Sequence, residues 1–187
     1  MPLLQVAKLG EPILRQTSQL VNLIALNSPD GKIQLLIDNM IDTMREEGGV
    51  GLAAPQVFQS LRLVVIECLS SERYSEAPDI PLTVLVNPSI KHYGVDTALG
   101  WEGCLSLKDL RGLVPRSKKI TVEYFDREGN PITVNAEGFL AVVLQHEIDH
   151  LHGKVFLDRM TDFSQLAYIE EFEKYIANKE TVESGSI

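Results

Sequence analysis

The segment QHEIDHLHG, residues 145–153, brings together the residue types that metal-assisted hydrolysis needs. On a helix, the spacing of His146 and His150 sets both imidazoles on one face, a turn apart, so that both can bind one ion. Glu147 stands beside the first of them, where its carboxylate reaches a water on that ion without itself ligating. A divalent metal lowers the pKa of such a water to roughly 7, and the neighbouring carboxylate can then shuttle its proton. The plainer alternative is a helix with two hydrogen-bonded histidines and a solvated glutamate. The chain has only 4 histidines, so a pair at ligand spacing beside a glutamate favours a metal. Phe139, Val142 and Val143 fall on or beside the same face and would give the ion an apolar floor.

The third ligand decides the class of hydrolase. One group of zinc endopeptidases extends the motif to a third histidine after a glycine. Gly153 fits that pattern but Phe156 stands where the histidine belongs, which removes the reading. Another group takes a glutamate from a downstream helix, for which Glu170, Glu171 or Glu173 could serve. A solvated helix face explains those residues more simply. Of the two cysteines, Cys68 ends an apolar run and reads as a small buried hydrophobe. Cys104 lies in the tight segment GWEGCLSL, between Glu102 and Ser106. A thiolate beside two imidazoles makes a three-ligand site with room left for water. Burial as a plain hydrophobe remains the alternative for Cys104 too.

Three segments then carry a more specific resemblance: GVGLAAPQ at Gly49–Gln56, EGCLS at Glu102–Ser106 and QHEIDH at Gln145–His150. In order and spacing they resemble the signature motifs of the peptide deformylases. LGEPILR (Leu9–Arg15) and RGLVPR (Arg111–Arg116) are also similar to family segments, so the likeness spans about residues 5–160. It implies an enzyme that removes the formyl group from the N-terminal formyl-methionine of nascent proteins and releases formate. It further implies one divalent metal on Cys104, His146 and His150, with Fe(2+) preferred and Zn(2+), Ni(2+) or Co(2+) as alternatives. Glu147 would be the general acid and base, and the Gln56 amide and the Leu105 backbone N–H would donate to the oxyanion. Val50, Phe139, Val142 and Val143 would wall the methionine pocket, core packing being the alternative for the two valines. The backbone at Gly51 would hold the first substrate residue, and Arg111 would stand near the mouth. Glu102 and Arg116 are expected to pair near Cys104, on position alone. Lys108, where the family often has proline, and the bulky Trp101 depart from the pattern at the rim. His152 reads as a helix-end or surface residue.

Around these motifs the expected frame is a single α+β domain over 1–187, with antiparallel strands packed around a central metal-binding helix and a polar tail from about 179. An amphipathic helix is expected from Ser28 to Glu47, where Ile33, Leu36, Ile37, Met40, Ile41 and Met44 recur at helical spacing before Gly48-Gly49. LRLVVIECL reads as a buried strand, residues 70–81 as a surface loop, and Thr83–Val86, Lys119–Phe125 and Ile132–Asn135 as short strands. The last two are joined by a hairpin turn at Asp126–Asn130. The metal helix should run from Phe139 to Leu151 and stop at Gly153. A final helix is expected between Asp162 and Asn178, and most of the basic cluster Arg111–Lys119 as a solvated loop.

The chain is 44% hydrophobic and 23% charged, ordinary for a globular domain. Its net charge of −9 speaks against direct DNA binding and anionic membranes. No secretion signal or membrane-length apolar stretch is evident, and two cysteines make no disulfide framework, so a reducing cytoplasm is the expected home. Family members act on chains leaving the ribosome, so a ribosomal contact is an open expectation that the charge does not support.

Overall fold

The short α1 (Leu23–Leu26) and the longer α2 (Lys32–Glu46) precede the central helix, α3 (Gly138–His150), which is buried along almost its whole length from Ala141 onward. Such a helix needs cover on all sides, and two antiparallel sheets supply it. The computed structural model describes residues 2–69 and 79–177. One sheet has five strands in the order β1-β2-β3-β6-β7: β1 (Gly51–Ala53), β2 (Leu63–Cys68), β3 (Ile80–Tyr93), β6 (Lys119–Phe125) and β7 (Pro131–Glu137). The other has three in the order β4-β5-β8: β4 (Thr97–Cys104), β5 (Leu107–Ser117) and β8 (Leu166–Tyr168). All pairings between these strands are antiparallel. The expected α+β domain with antiparallel strands about a central helix is the architecture found.

The five-stranded sheet buries residues on both faces. Val64, Ile66, Leu85, Ile120 and Val122 pack with Ala141, Leu144 and Ile148 of α3. Leu63, Val65, Val84 and Val86 pack on the other side with Ile37, Met40, Ile41 and Met44 of α2 (Lys32–Glu46), a longer amphipathic helix. Strand β2 is therefore covered on both faces, which explains its apolar run Leu63–Ile66. A smaller cluster of Val114, Val155, Phe156 and Met160 lies under the three-stranded sheet.

Several expected boundaries hold. The turn at Asp126–Asn130 joins β6 to β7, with the Asp126 carboxylate accepting from the Glu128 and Asn130 backbone N–H groups. After α2, Gly48 takes φ 66° and the Gly49 N–H bonds back to the Met44 carbonyl, closing the helix. Gly153 (φ +68°) stops the chain after α3; a Cβ there would lie 2.6 Å from the Arg15 carbonyl carbon, so no other residue fits.

Other expectations are corrected. Helix α2 starts at Lys32, not Ser28, because Ser28–Gly31 forms a turn with Gly31 at φ 62°. The strand at Thr83–Val86 is part of the longer β3, which takes in Ile80 and Pro81 from the expected loop; the rest of that loop, 70–78, lies outside the described residues, as does the polar tail. The basic cluster is not a solvated loop: through Ser117 it is strand β5, with Val114, Arg116 and Ser117 buried. The expected last helix is interrupted by β8, which pairs with β5: a short 3-10 turn, Phe163–Gln165, precedes the strand, and among the described residues Ile169–Ala177 follows it as helix, ending in a π turn.

Candidate metal centre and active site

Helix α3 and the tip of the β4–β5 hairpin meet to form the site. Cys104 pairs with Leu107 across the hairpin, so Leu105 and Ser106 form its tight turn. Opposite, His146, Glu147 and His150 project from one face of α3, all buried. One ligand atom each from Cys104, His146 and His150 can be chosen so that all lie within 4.8 Å of one another, and Cys104 Sγ is 3.3 Å from His150 Nε2. Among the described residues this is the only such grouping, so no downstream glutamate joins it. One sulfur and two imidazole nitrogens, drawn together on rigid elements, fit a single divalent metal ion with an open position.

A buried chain of charges holds these donors in place. The Glu102 carboxylate accepts from His146 Nδ1 at 2.8 Å, which leaves Nε2 of that ring for the cluster. Arg116 grips the same carboxylate from the other side, Nε and Nη2 donating at 2.7 and 3.0 Å, and Nη1 donates to Asp149 at 2.6 Å. Arg159 closes the chain with two further bonds to Asp149. The expected Glu102–Arg116 pair is thus present within a longer run. Asp149 and Arg159 were not foreseen, although Asp149 sits between the two histidines of the motif.

This setting decides the protonation states. Burial alone would raise the Cys104 thiol, but the charge of His150 and the hydrogen bonds of both imidazoles bring it down to about 5. Burial would lower His146, yet Cys104 and Glu102 hold it well above the usual histidine range. A cation between these groups would take the place of the shared proton. Glu102 stays below its usual range against its burial, held by Arg116 and His146. Glu147 goes the other way: burial pushes it up, only partly offset by the two histidines, and its Oε2 is buried without a hydrogen-bond partner. The nearby Gly51 has no room for a side chain, since a Cβ there would run into the Glu147 carboxylate. This is a packing reason for that glycine beyond backbone approach.

The first loop supplies Gln56. Its Oε1 accepts from the Ala53 N–H at 2.8 Å, which turns Nε2 toward Cys104 Sγ and Ser106 Oγ at 3.5 and 3.3 Å. The N-terminal segment ties this loop to the hairpin tip, with the Ala7 N–H on the Gln56 carbonyl and the Leu9 N–H on the Ser106 carbonyl. Nothing in its composition pointed to that clamp.

A cavity of about 610 Å³ opens over the cluster. Its wall includes Val50, Gly51, Gln56, Leu105, Arg111, Phe139, Val142 and Val143, together with Cys104, His146 and Glu147. Every residue expected in the substrate pocket therefore borders one space. Val143 and Phe139 also pack into the core, so wall and core are the same residues here. His150 is deeper and His152 is exposed on the far side of the helix end. At the rim, Lys108 pairs with Glu47, and Trp101 stacks on Phe172.

Residues 3–165 match the family model described as polypeptide deformylase. A protein named peptide deformylase 2 from Nostoc sp. is 41% identical over 93% of this chain and 95% of its own. One of the same name from Pseudomonas putida is 45% identical over 88% and 92%. The solved class I type b peptide deformylase from Acinetobacter baumannii, in a Met-Ala-Ser bound crystal structure, superposes with a TM-score of 0.81 at 40% identity, covering 85% of this chain and 99% of that one.

Proposed function

The chain belongs to the peptide deformylase family, and on that premise we propose that it removes the formyl group from N-terminal formyl-methionine, releasing formate and a free amine. One observation carries the reading to this chain's own residues. The Glu147 carboxylate, whose Oε2 has no hydrogen-bond partner, lies beside a Cys-His-His donor set in a cavity that Val50, Phe139, Val142 and Val143 help to wall. When bound, a divalent metal supplies the Lewis acidity that makes water a nucleophile near neutral pH. Iron(II) is our preferred resident, with zinc, nickel or cobalt as ions that the same donors hold.

The remaining work falls to side chains. Glu147, whose burial raises its affinity for a proton, takes one from the attacking water and returns it to the departing nitrogen as the C–N bond breaks. Gln56, its Oε1 held by Ala53, directs Nε2 toward Cys104 and Ser106, and this amide turns to donate to the oxygen on which charge develops. The Leu105 backbone N–H, at the hairpin tip, is the second donor. The slot of Val50, Phe139, Val142 and Val143 suits an unbranched thioether. The Gly51 backbone and Arg111 hold the peptide at the mouth.

We extend the reading to nascent chains as the natural substrate and to the cytoplasm as the compartment, with the chain acting as a single catalytic domain. A contact with the ribosome belongs to this proposal. No helix among the described residues is long and apolar enough to cross a membrane. The test is formate release from a formyl-Met peptide alongside cleavage of an unformylated one. Formate from the first and an intact second are expected; internal cleavage without formate would replace the reading with that of an endopeptidase. Glu147→Gln should keep its metal and lose kcat by orders of magnitude, and a near-normal rate would remove its acid–base role.

A further inference from the structure

A second cavity, of about 490 Å³, shares no wall residue with the first. Ile148 of α3 borders it, two residues from each ligand histidine and so round the other side of the helix. Backbone bonds fix the stretches that meet there. The Ser18 N–H donates to the Leu151 carbonyl, the Arg62 N–H to Gln19 and the Asn87 N–H to Arg62. Asn87, at φ 55° in the irregular part of β3 between Val86 and Ser89, exchanges two side-chain bonds with the Val21 backbone at 2.8 and 2.9 Å. The walls are therefore set before any ligand arrives. Into this space comes a cation without an acid. Arg15, Arg45, Arg116, Arg127 and Arg159 each meet a carboxylate. Arg62, half-buried at the start of β2, has its Nη2 on the Pro88 carbonyl at 2.6 Å, and no ion pair joins it to a carboxylate among the described residues. Burial lowers its pKa and no acid raises it. The charge of Asp149 is felt by His152 and Tyr93, but its oxygens are bonded to Arg116 and Arg159. In a chain of net charge −9, a half-buried guanidinium left without a counter-charge at a preformed cavity calls for one from outside.

We propose that this second cavity binds a small carboxylate with an apolar body, the carboxylate on Arg62 and the body against Leu20, Ile90 and Ile148. With Nη2 held by Pro88, the remaining N–H groups of the guanidinium serve the two oxygens of a carboxylate. The Tyr93 hydroxyl and the His152 ring border the same space and supply further donors. A phosphate would set two charges against one guanidinium and leave the apolar wall unused, whereas an apolar body removes that wall from water. The volume lies in the range of roughly 300–1,000 Å³ that takes a whole small ligand. A free acid and the C-terminal residue of a peptide carry the same chemistry. The proposal does not depend on the deformylase reading, since the site lies apart from the metal donors.

The experiment titrates the full-length, zinc-loaded protein and follows its backbone amides by NMR. The probes are phenylpropionate and acetyl-Gly-Phe, each beside its uncharged carboxamide twin, and inorganic phosphate. With either acid the amides of Leu20, Arg62, Ser89 and His152 should move, and the twin should bind about tenfold more weakly. The acid that binds more tightly identifies the source, free or peptide-borne, and either result supports the site. Arg62→Met should weaken the acid by about tenfold and Arg62→Lys should restore part of it, while Tyr93→Phe should cost about threefold. Equal binding of acid and twin overturns the proposal, as does an unchanged affinity in Arg62→Met. Shifts confined to Gly51, Leu105 and Val142 would mean that the acid has gone to the metal cavity, and phosphate binding more tightly than both acids would mean a plain anion site; each overturns it too. Should Arg62→Met fail to fold, the comparison of acid with twin in the parent still decides.

Discussion

Cys68 and Cys104 are both buried, and each closes a β-strand, yet the fold gives them opposite chemistry. Cys68 ends β2 inside an apolar cluster with Ile66, Ile80 and Ile120, where burial and then the charge of Asp79 push its thiol up. Cys104 ends β4 with two imidazoles against it, and these more than cancel its burial and bring it down to about 5. Burial sets the cost of a charge, but the neighbours decide whether the charge is present. A deeply buried cysteine becomes a ligand only where the fold has also buried its counter-charges.

The largest test of the contrast exchanges the sulfur at each place. Cys104→Ser leaves two imidazoles and a poor hydroxyl donor, so metal content and formate release should fall together by orders of magnitude. Cys68→Ala should keep both within a factor of about two, being a surface-remote core change. Equal losses in the two variants, by metal analysis and formate assay, would mean that the two environments do not differ in the way described.

A smaller effect should come from the charges that support Cys104 at one remove. Arg116 holds Glu102, which orients His146, and it also meets Asp149 on the ligand helix. Glu102→Gln keeps the shape and removes the charge; metal affinity should drop by about 10–100-fold, measured by competition with a chelator. Arg116→Met removes the cation that bridges two buried carboxylates, leaving Glu102 to His146 and Asp149 to Arg159, and should also lower thermal stability. Among the described residues, the apolar cluster around Cys68 holds no such counterpart. An unchanged affinity in Glu102→Gln would show that the imidazole needs no such support.

This buried charge chain also marks where the sequence could and could not be read. Helix α3 is found within a residue of its expected ends, because its ligand spacing, apolar face and stop glycine all agree. Strand β6 matches as expected, and its hairpin turn is spelled out in Asp-Arg-Glu-Gly-Asn. Strands β4 and β5 went unread. Their buried positions mix Glu102, Cys104, Gly112 and Arg116 with Leu107 and Val114, so the apolar alternation that reveals a strand is broken. The local rule fails at the place where residues are buried for chemistry. Strand β1 is hidden for another reason: three residues in a glycine-rich loop carry no period at all. At the C-terminus, Leu166, Ile169, Phe172 and Ile176 keep a helical spacing, but pairing with β5 takes the first of them into a strand.

A finer test reads the two thiols directly. In the metal-free protein, thiolate absorbance in the ultraviolet should show one group present at neutral pH and lost as pH falls through about 5. That signal should vanish in Cys104→Ser and survive in Cys68→Ala. Cys68 should ionise only above the ordinary thiol range. The sign for stability follows. The folded value for Cys104 lies below its unfolded value of about 8.5, so its contribution is fully present above that value and is lost on acidification through about 5. His146, raised in the fold, contributes below its unfolded value and loses that contribution as pH rises through its folded one. A thiolate signal with a midpoint near 8.5 would erase the difference between the two cysteines.

The smallest effect expected is on stability at Cys68. Replacing its sulfur by hydrogen in Cys68→Ala opens a void beside Ile66 and Ile80 in a packed cluster, at a cost of about 1 kcal/mol. Metal binds the native state alone and adds stability by mass action, so at saturating metal both proteins should gain equally. The gap in unfolding free energy between parent and Cys68→Ala should therefore be the same with and without metal, and the same at pH 6 and pH 8 within about 0.5 kcal/mol, because a thiol that stays protonated contributes no proton linkage there. Denaturant unfolding of both proteins, metal-loaded and metal-free, measures it. A gap that widens with metal would couple Cys68 to the centre through β2, β1 and Gly51, the path by which the strand lies against Glu147. The two cysteines would then report one environment rather than two.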